Sequence, residues 1–471
     1  MNLMTNSHPS SRLRATAFFA CALGALAGLM FGLDIGVISG AQQFIQKDFA
    51  IDDRTIEHIV SWMLLGAAAG ALGSGWLSAR LGRKKSLLIG ALLFAMASVY
   101  CAIAPTAMHL QVARLVLGVS IGILSFTAPM YLAEIAPERI RGAMVSLYQL
   151  MITIGIVLAY ASDLAFSASG NWRWMLGIIA IPGVLFFAGA FALPESPRWL
   201  MMRGRTEQAG SILLKLLGDA ERVRREQADI IEQLSTHSAT WLDGWQLFRE
   251  NRNFRRSVGL GIVLQIVQQL TGMNVVMYYA PRIFQSMGFN THAQMWFTVI
   301  VGLVNVLATF IAIGLVDRWG RKPILLTGFI AMAAGLGIVG GMMHVGIATH
   351  AEQMFTVAML LMFIVGFAMS AGPLIWILCS EVQPIQGRDF GIACSTFTNW
   401  IANFFVGATF LTLLNNIGDA ATFWLYGGLN VLFILITLWL VPETKGVSLE
   451  RIESNLMAGL PLRQIGRKRE D

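Results

Sequence analysis

The sequence predicts an all-α membrane protein of twelve transmembrane helices in two six-helix repeats, with cytoplasmic helices between the halves. Three observations predict it. The 471 residues are 56% hydrophobic and only 13% charged, too little charge to cover a soluble surface of that size. Uncharged runs of about 20 residues recur along the chain, each long enough for a helix to cross a ~30 Å hydrocarbon core. Short charged marks that follow particular runs return once, later in the chain, at nearly constant spacing.

The runs fall near 15–43, 57–79, 86–104, 108–134, 142–164, 174–193, 257–281, 293–316, 323–345, 353–380, 390–414 and 420–441. Glycine and proline within them are compatible with membrane helices, where neighbouring helices satisfy the backbone. The segment 194–256 is different. Its stretch "RTEQAGSILLKLLGDAERVRREQADIIEQL" is charged, with apolar residues at helical spacing, and predicts short amphipathic helices. The chain therefore divides into an N-terminal tail (1–14), a six-helix bundle (15–193), a linker (194–256), a second bundle (257–441) and a C-terminal tail (442–471).

Lysine and arginine collect on alternate loops: Arg80, Arg83, Lys84 and Lys85; Arg139 and Arg141; the linker; Arg318, Arg321 and Lys322; Arg388; and the C-terminal tail. The loops between them hold only Lys47, Arg54, Arg173 and Arg282. This asymmetry predicts both termini in the cytoplasm. It also accounts for the net charge of +7 without a nucleic-acid partner. Cys21, Cys101, Cys379 and Cys394 all lie in predicted spans, which argues against a disulfide framework. The absence of any Asn-x-Ser/Thr acceptor fits a bacterial inner membrane.

The repeat is carried by paired marks. "RLGRKK" after the second span returns as "DRWGRK" after the eighth, and Gly82 to Gly320 is 238 residues. "AEIAPERIRG" after the fourth span returns as "SEVQPIQGRD" after the tenth, and Glu134 to Glu381 is 247 residues. "PESPRW" after the sixth span returns as "PETKG" after the twelfth, and Glu195 to Glu443 is 248 residues. Three paired marks at nearly one offset indicate a duplicated six-helix unit.

Inside the N-terminal half, two charges stand well within the spans, Asp34 and Arg114. Asp34 is the only formal charge between Ala15 and Gln46. An unpaired charge in the bilayer costs at least ~2.5–3.5 kcal/mol, so such residues are paired or functional. Their depths agree, which permits them to pair. Burial favours the neutral form of a carboxyl and a nearby guanidinium favours the charged form. Movement of Arg114 would therefore switch Asp34 between holding and releasing a proton.

The second half offers amides and indoles instead: Gln265, Gln268, Gln269, Asn274, Asn305, Asn399, Asn403, Trp376 and Trp400. Amides both donate and accept, which suits hydroxyls, and indole supplies a flat apolar face. This inventory fits a neutral polyhydroxylated substrate. In "QIVQQLTGMNVVMYY", Gln265, Gln268, Gln269 and Tyr279 fall at spacings that reach one helical side, and Gly272 weakens the helix before Asn274. No nucleophile–base pair or metal-ligand cluster is evident, so neither an enzyme nor a metal site is expected.

Two parallel six-helix repeats with a site between them describe the major facilitator transporters. "RLGRKK", "DRWGRK", "PMYLAEIAPERIRG", "PESPRWL", "QQLTGMN" and "PETKG" resemble the sugar-porter branch of that superfamily. "YQLMITIGI", "VDRWGRKP" and "GPLIWILCSE" are most similar to the bacterial galactose–proton and arabinose–proton symporters. The resemblance covers nearly the whole chain outside the tails and linker. One departure is Ala79, which stands where the second copy has Asp317. The first loop must close with one carboxylate fewer, and Glu134 is the expected partner of Arg83.

The resemblance implies sugar contacts from Gln268, Gln269, Asn274, Asn305, Trp376 and Asn399 in the second half. It implies Gln149 and Phe31 from the first, with Trp400 adjoining. It supports Asp34 and Arg114 as the proton-coupling pair, because facilitative relatives carry a neutral residue in place of Asp34. Arg83, Glu134, Arg141 and Glu195, with Arg321, Glu381, Arg388 and Glu443, are expected to form a cytoplasmic gate that closes the inside of the outward-facing state. The chain is thus expected to import a monosaccharide, D-galactose or D-glucose, with a proton across the cytoplasmic membrane. It is expected to work as a monomer in lipid, with no cofactor beyond the proton gradient. A pentose (arabinose or xylose) symporter, a passive facilitator and a non-transporting sugar sensor are the alternatives.

Overall fold

The computed structural model describes residues 11–136, 141–236, 241–384 and 387–467, with side chains within 11–21, 141–143, 145–146, 233–236, 241–243, 313 and 316–317 excepted. The first bundle contains α1 (Ser11–Phe49), α2 (Asp53–Leu81), α3 (Arg83–Ile103), α4 (Ala107–Ile135) and α5 (Arg141–Ser167), then α6 (Trp172–Gly177) and α7 (Ala180–Ala190), which together form the sixth span. The linker forms α8 (Pro197–Met202), α9 (Thr206–Leu217), α10 (Ala220–Thr236) and α11 (Trp241–Glu250). The second bundle contains α12 (Arg252–Leu270), α13 (Met273–Ser286), α14 (Thr291–Trp319), α15 (Arg321–Val345), α16 (His350–Met369), α17 (Ala371–Glu381), α18 (Arg388–Ile417) and α19 (Asp419–Leu440), followed by α20 (Leu449–Met457). Twelve of the described segments are long and apolar enough to cross a membrane.

Glycine sets how closely the helices pack. Along α1, Gly28, Gly32, Gly36 and Gly40 recur every fourth residue and face α5. A Cβ on Gly32 would lie 1.9 Å from the Ile152 carbonyl oxygen, so only glycine permits this backbone contact. Helices in lipid gain little from apolar burial against each other, and close approach of small residues supplies the van der Waals attraction instead. The same device joins α2 to α4, where a Cβ on Gly118 would lie 1.9 Å from the Met63 carbonyl oxygen.

Two spans of the second bundle are broken near mid-membrane. Gly272 takes a φ of +91° between α12 and α13, a conformation glycine adopts freely. Ser370, with φ −128° and ψ −90°, separates α16 from α17. The breaks face each other, because the Gln268 amide on α12 donates to the carbonyls of Ala371 and Gly372 on α17, at 3.0 and 2.9 Å.

The paired sequence marks fold into matching joints. Gly82 and Gly320 have φ of +93° and +94° and begin α3 and α15. Glu195 accepts from the N–H groups of Arg83 and Lys84, at 2.9 and 3.1 Å. Glu443 accepts from those of Arg321 and Lys322, at 3.0 and 2.9 Å. A carboxylate at a helix start satisfies orphan donors and complements the helix dipole. A Cβ on Gly82 would lie 2.3 Å from a Glu195 oxygen, so the glycine is needed for both its turn and its neighbour.

The two bundles are bonded to each other, among the described residues, at one end only. Among the described residues, every hydrogen bond between them lies on the far face, opposite the Gly82 and Gly320 joints. The pairs are Gln42 to the Tyr278 carbonyl, Gln43 to Gln294, Tyr160 to the Met277 carbonyl, Arg282 and Asn415 to Asp53, and Thr412 to Glu57.

Candidate functional site

Asp34 and Arg114 meet at the core of the first bundle. Arg114 Nη1 donates to Asp34 Oδ1, and the side chains are 1% and 0% exposed for Arg114 and Asp34 respectively. Arg114 Nε also donates to the Ile59 carbonyl at 3.4 Å. Asp34 Oδ2 is buried without a hydrogen-bond partner among the described residues. The pair joins α1 to α4, so any rotation of one helix against the other changes the field on the carboxylate.

The amide site gathers on α12, α13 and α18. Asn399 Nδ2 donates to Gln265 Oε1 at 2.6 Å and to Gln268 Oε1 at 2.9 Å. Asn274 Nδ2 donates to Gln269 Oε1 at 2.5 Å across the Gly272 break. Gln265, Gln268, Gln269, Asn305 and Asn399 are all buried. Phe31 and Trp400 pack against each other across the bundles, with ring centroids 5.5 Å apart and planes tilted by 47°. The arrangement presents fixed, neutral donors and acceptors beside an aromatic floor.

The structure does not link every predicted residue to this cluster. Asn305 lies on α14, and its amide makes no hydrogen bond to protein among the described residues. Gln149 is exposed on α5, and Trp376, one turn beyond Gly372 on α17, is 40% exposed. Tyr279 corrects the expectation that it shares a face with the glutamines. It lies beyond the break, and its hydroxyl donates to the Gly407 carbonyl at 2.7 Å.

The charges at the paired joints also differ from expectation. Arg83 Nε and Nη2 grip both oxygens of Glu134, at 2.9 and 2.8 Å, and Arg321 Nη2 donates to Glu381 at 2.9 Å. Each pair is formed within its own bundle, while the bundles are joined at the opposite face. These pairs are therefore not confined to a state closed on this side, which corrects their reading as contacts of the outward-facing state alone. Arg388 Nη2 donates to the Gln383 carbonyl at 3.4 Å rather than to Glu381. The side chains of Arg141 and Asp317 lie outside those described.

Two buried carboxylates escaped the sequence reading. Asp163 on α5, 1% exposed, accepts from the Gly40 N–H at 3.0 Å. Glu57 on α2, also 1% exposed, accepts from Thr412. Both sit near span ends, where a charge in sequence reads as a loop residue. A carboxylate falling in register with an apolar helical stripe was the available signal.

Two duplicated six-helix bundles, each closed by an arginine–glutamate joint and meeting around a neutral polar site, define a transporter of the major facilitator class. The family model described as "Sugar (and other) transporter" matches residues 20–456. The chain belongs to this sugar transporter family. It is 62% identical to the galactose-proton symporter of Escherichia coli K12, over 96% of this chain and 97% of that protein. It is 53% identical to the arabinose-proton symporter of the same strain, over 96% of each. Among solved structures, it is similar to the inward-open xylose transporter XylE of E. coli, with a TM-score of 0.81 at 31% identity, covering 93% of this chain and 99% of that one. The proton:xylose symporter XylE bound to 6-bromo-6-deoxy-D-glucose gives a TM-score of 0.77 at 32% identity, with the same coverage.

Proposed function

We propose that this protein imports a monosaccharide together with a proton by alternating access, and that its preferred sugar is an aldohexose, D-galactose or D-glucose. The observation that carries the reading is the sealed Asp34–Arg114 pair in one bundle, opposite a neutral amide site in the other. A passive facilitator needs no titratable group at that depth. The 62% identity to a galactose-proton symporter, against 53% to an arabinose-proton symporter, supports hexose over pentose.

In this reading Asp34 holds the proton and Arg114 governs its release. Gln268 is pre-set by the Ala371 and Gly372 carbonyls, and Gln269, Asn274, Asn305 and Asn399 offer their remaining polar edges to sugar hydroxyls. Phe31 and Trp400 cover the ring, with Gln149 and Trp376 lining the approach. The glutamates at Arg83 and Arg321 stiffen the end of each bundle, so that the bundles rock as bodies. The positive loops keep both termini in the cytoplasm, and the joint face then opens to the cytoplasm.

Proteoliposomes containing the purified protein test the function directly. Labelled galactose should accumulate only with an inward proton gradient, and sugar addition should alkalinise a weakly buffered medium. Equal uptake with and without the gradient would identify a facilitator instead.

A further inference from the structure

We propose that Glu57 is the acceptor of a latch that holds the bundles together on the far face, and that its bonds to Thr412 break before sugar enters from that side. This rests on the transport reading but names a residue which that reading does not use.

Glu57 sits one turn into α2 and is 1% exposed, at the contact with α18. One of its oxygens takes the Thr412 N–H at 2.7 Å, and the other takes the Thr412 hydroxyl at 2.6 Å. Both donors belong to the other bundle. Gly407, about one turn from Thr412, packs against α2, where a Cβ would lie 3.2 Å from Leu64 Cδ1.

The neighbouring contacts are of another kind. Asp53, one turn earlier on α2, accepts from Arg282 at 3.1 Å and from Asn415 at 2.9 Å. The Arg282 side chain is 37% exposed, so this pair lies at a wetted rim where water screens it. Glu57 is sealed behind that rim. Charge-assisted bonds to a desolvated carboxylate are the stronger kind. A contact shifts a conformational equilibrium only by the difference it makes between states. Glu57 meets this condition, because the Thr412 N–H and hydroxyl belong to the other bundle and are lost to it when the far face opens and water replaces them.

The reporter is Ser39→Cys, a 1% exposed position lining the small gap behind the rim beside Gln42, Ile56 and Leu411. Purified protein in detergent is labelled with a polar maleimide, and labelling of the native cysteines in protein lacking Ser39→Cys is subtracted. Adding Glu57→Leu should raise the reporter's labelling rate about tenfold, the scale of losing buried charge-assisted hydrogen bonds. Thr412→Val, which removes only the hydroxyl, should raise it about threefold and covers the case in which Glu57→Leu fails to fold. Reporter labelling no faster in these variants than in the Ser39→Cys parent overturns the latch. The assay needs neither sugar nor a gradient, so its failure leaves the transport reading standing, and a chain inactive in transport can still pass it.

Discussion

Arg114 on α4 donates to one oxygen of Asp34 on α1, and the second Asp34 oxygen has no hydrogen-bond partner among the described residues. The carboxylate is held by its charge partner from one side only. Such a group changes its proton affinity sharply when that partner moves, because nothing else compensates its charge.

Asp34→Asn keeps the shape and removes the titration. We expect sugar binding and counterflow exchange to persist, while accumulation against a gradient falls to background. Proteoliposome uptake with and without an imposed proton gradient measures both. Gradient-driven accumulation by the variant would remove Asp34 from the proton path.

Gln268 ties Asn399 on one side to the Ala371 and Gly372 carbonyls on the other, whereas the Asn274 amide is bonded, among the described residues, only to Gln269. Removing a buried hydrogen-bonding group costs about 1–3 kcal/mol, roughly ten- to a hundredfold in affinity. Gln268→Ala should fall at the upper end, since it also removes one of the two acceptors of Asn399 and the donor to the Ala371 and Gly372 carbonyls, and Asn274→Ala at the lower. Equilibrium binding of labelled sugar to purified variants checks the order. Unchanged affinity in both would move the site elsewhere.

Gly32→Val forces a side chain into the Ile152 backbone, where a Cβ would already be at 1.9 Å. Overpacking costs about 1–3 kcal/mol where neighbours can shift, and backbone shifts least. The melting temperature in detergent should therefore fall by several degrees more than for Gly73→Ala, where a Cβ meets nothing within 4 Å. Equal melting temperatures would contradict the α1–α5 contact.

Arg83→Ala and Arg321→Ala act on equivalent joints. Each leaves a mostly buried glutamate short of its cation, at a cost of about 2 kcal/mol. Both should lower thermal stability and slow transport without altering sugar affinity, because the pairs lie within single bundles, away from the amides. A weakened affinity at unchanged stability would tie the joints to the site itself.

Competition against labelled galactose tests substrate choice. A site that pairs its amides with hexose hydroxyls leaves polar groups unpaired when a smaller sugar enters. Glucose should compete strongly, L-arabinose more weakly and D-xylose least. Strong inhibition by xylose with none by glucose would sink the hexose assignment and leave the proton mechanism untouched.

Asp34 and Arg114, the twelve spans and the paired glycine–arginine marks were all legible in the sequence, for one physical reason. In hydrocarbon the backbone must satisfy itself locally and a charge must be paired, so span number and intramembrane charges appear directly in composition along the chain. The Gly272 break was legible too, since glycine is the residue that takes a positive φ without cost. Which groups meet across helices was not written locally. Tyr279 carries helical spacing from the glutamines, yet the break turns it toward Gly407, and a periodicity argument cannot see past a break. Glu57 reads as a loop charge until α18 brings Thr412 to it, 355 residues away in the chain. The joints belong to both accounts: their residues repeat in sequence, but only the assembled bundle shows Arg83 and Arg321 paired while the opposite face is shut. The sequence by itself determined how many helices cross the membrane, that they are duplicated and which charges lie within. The tertiary structure alone decided which end of the two bundles is closed, because that depends on bonds between helices far apart in the chain, which no local stretch of sequence specifies.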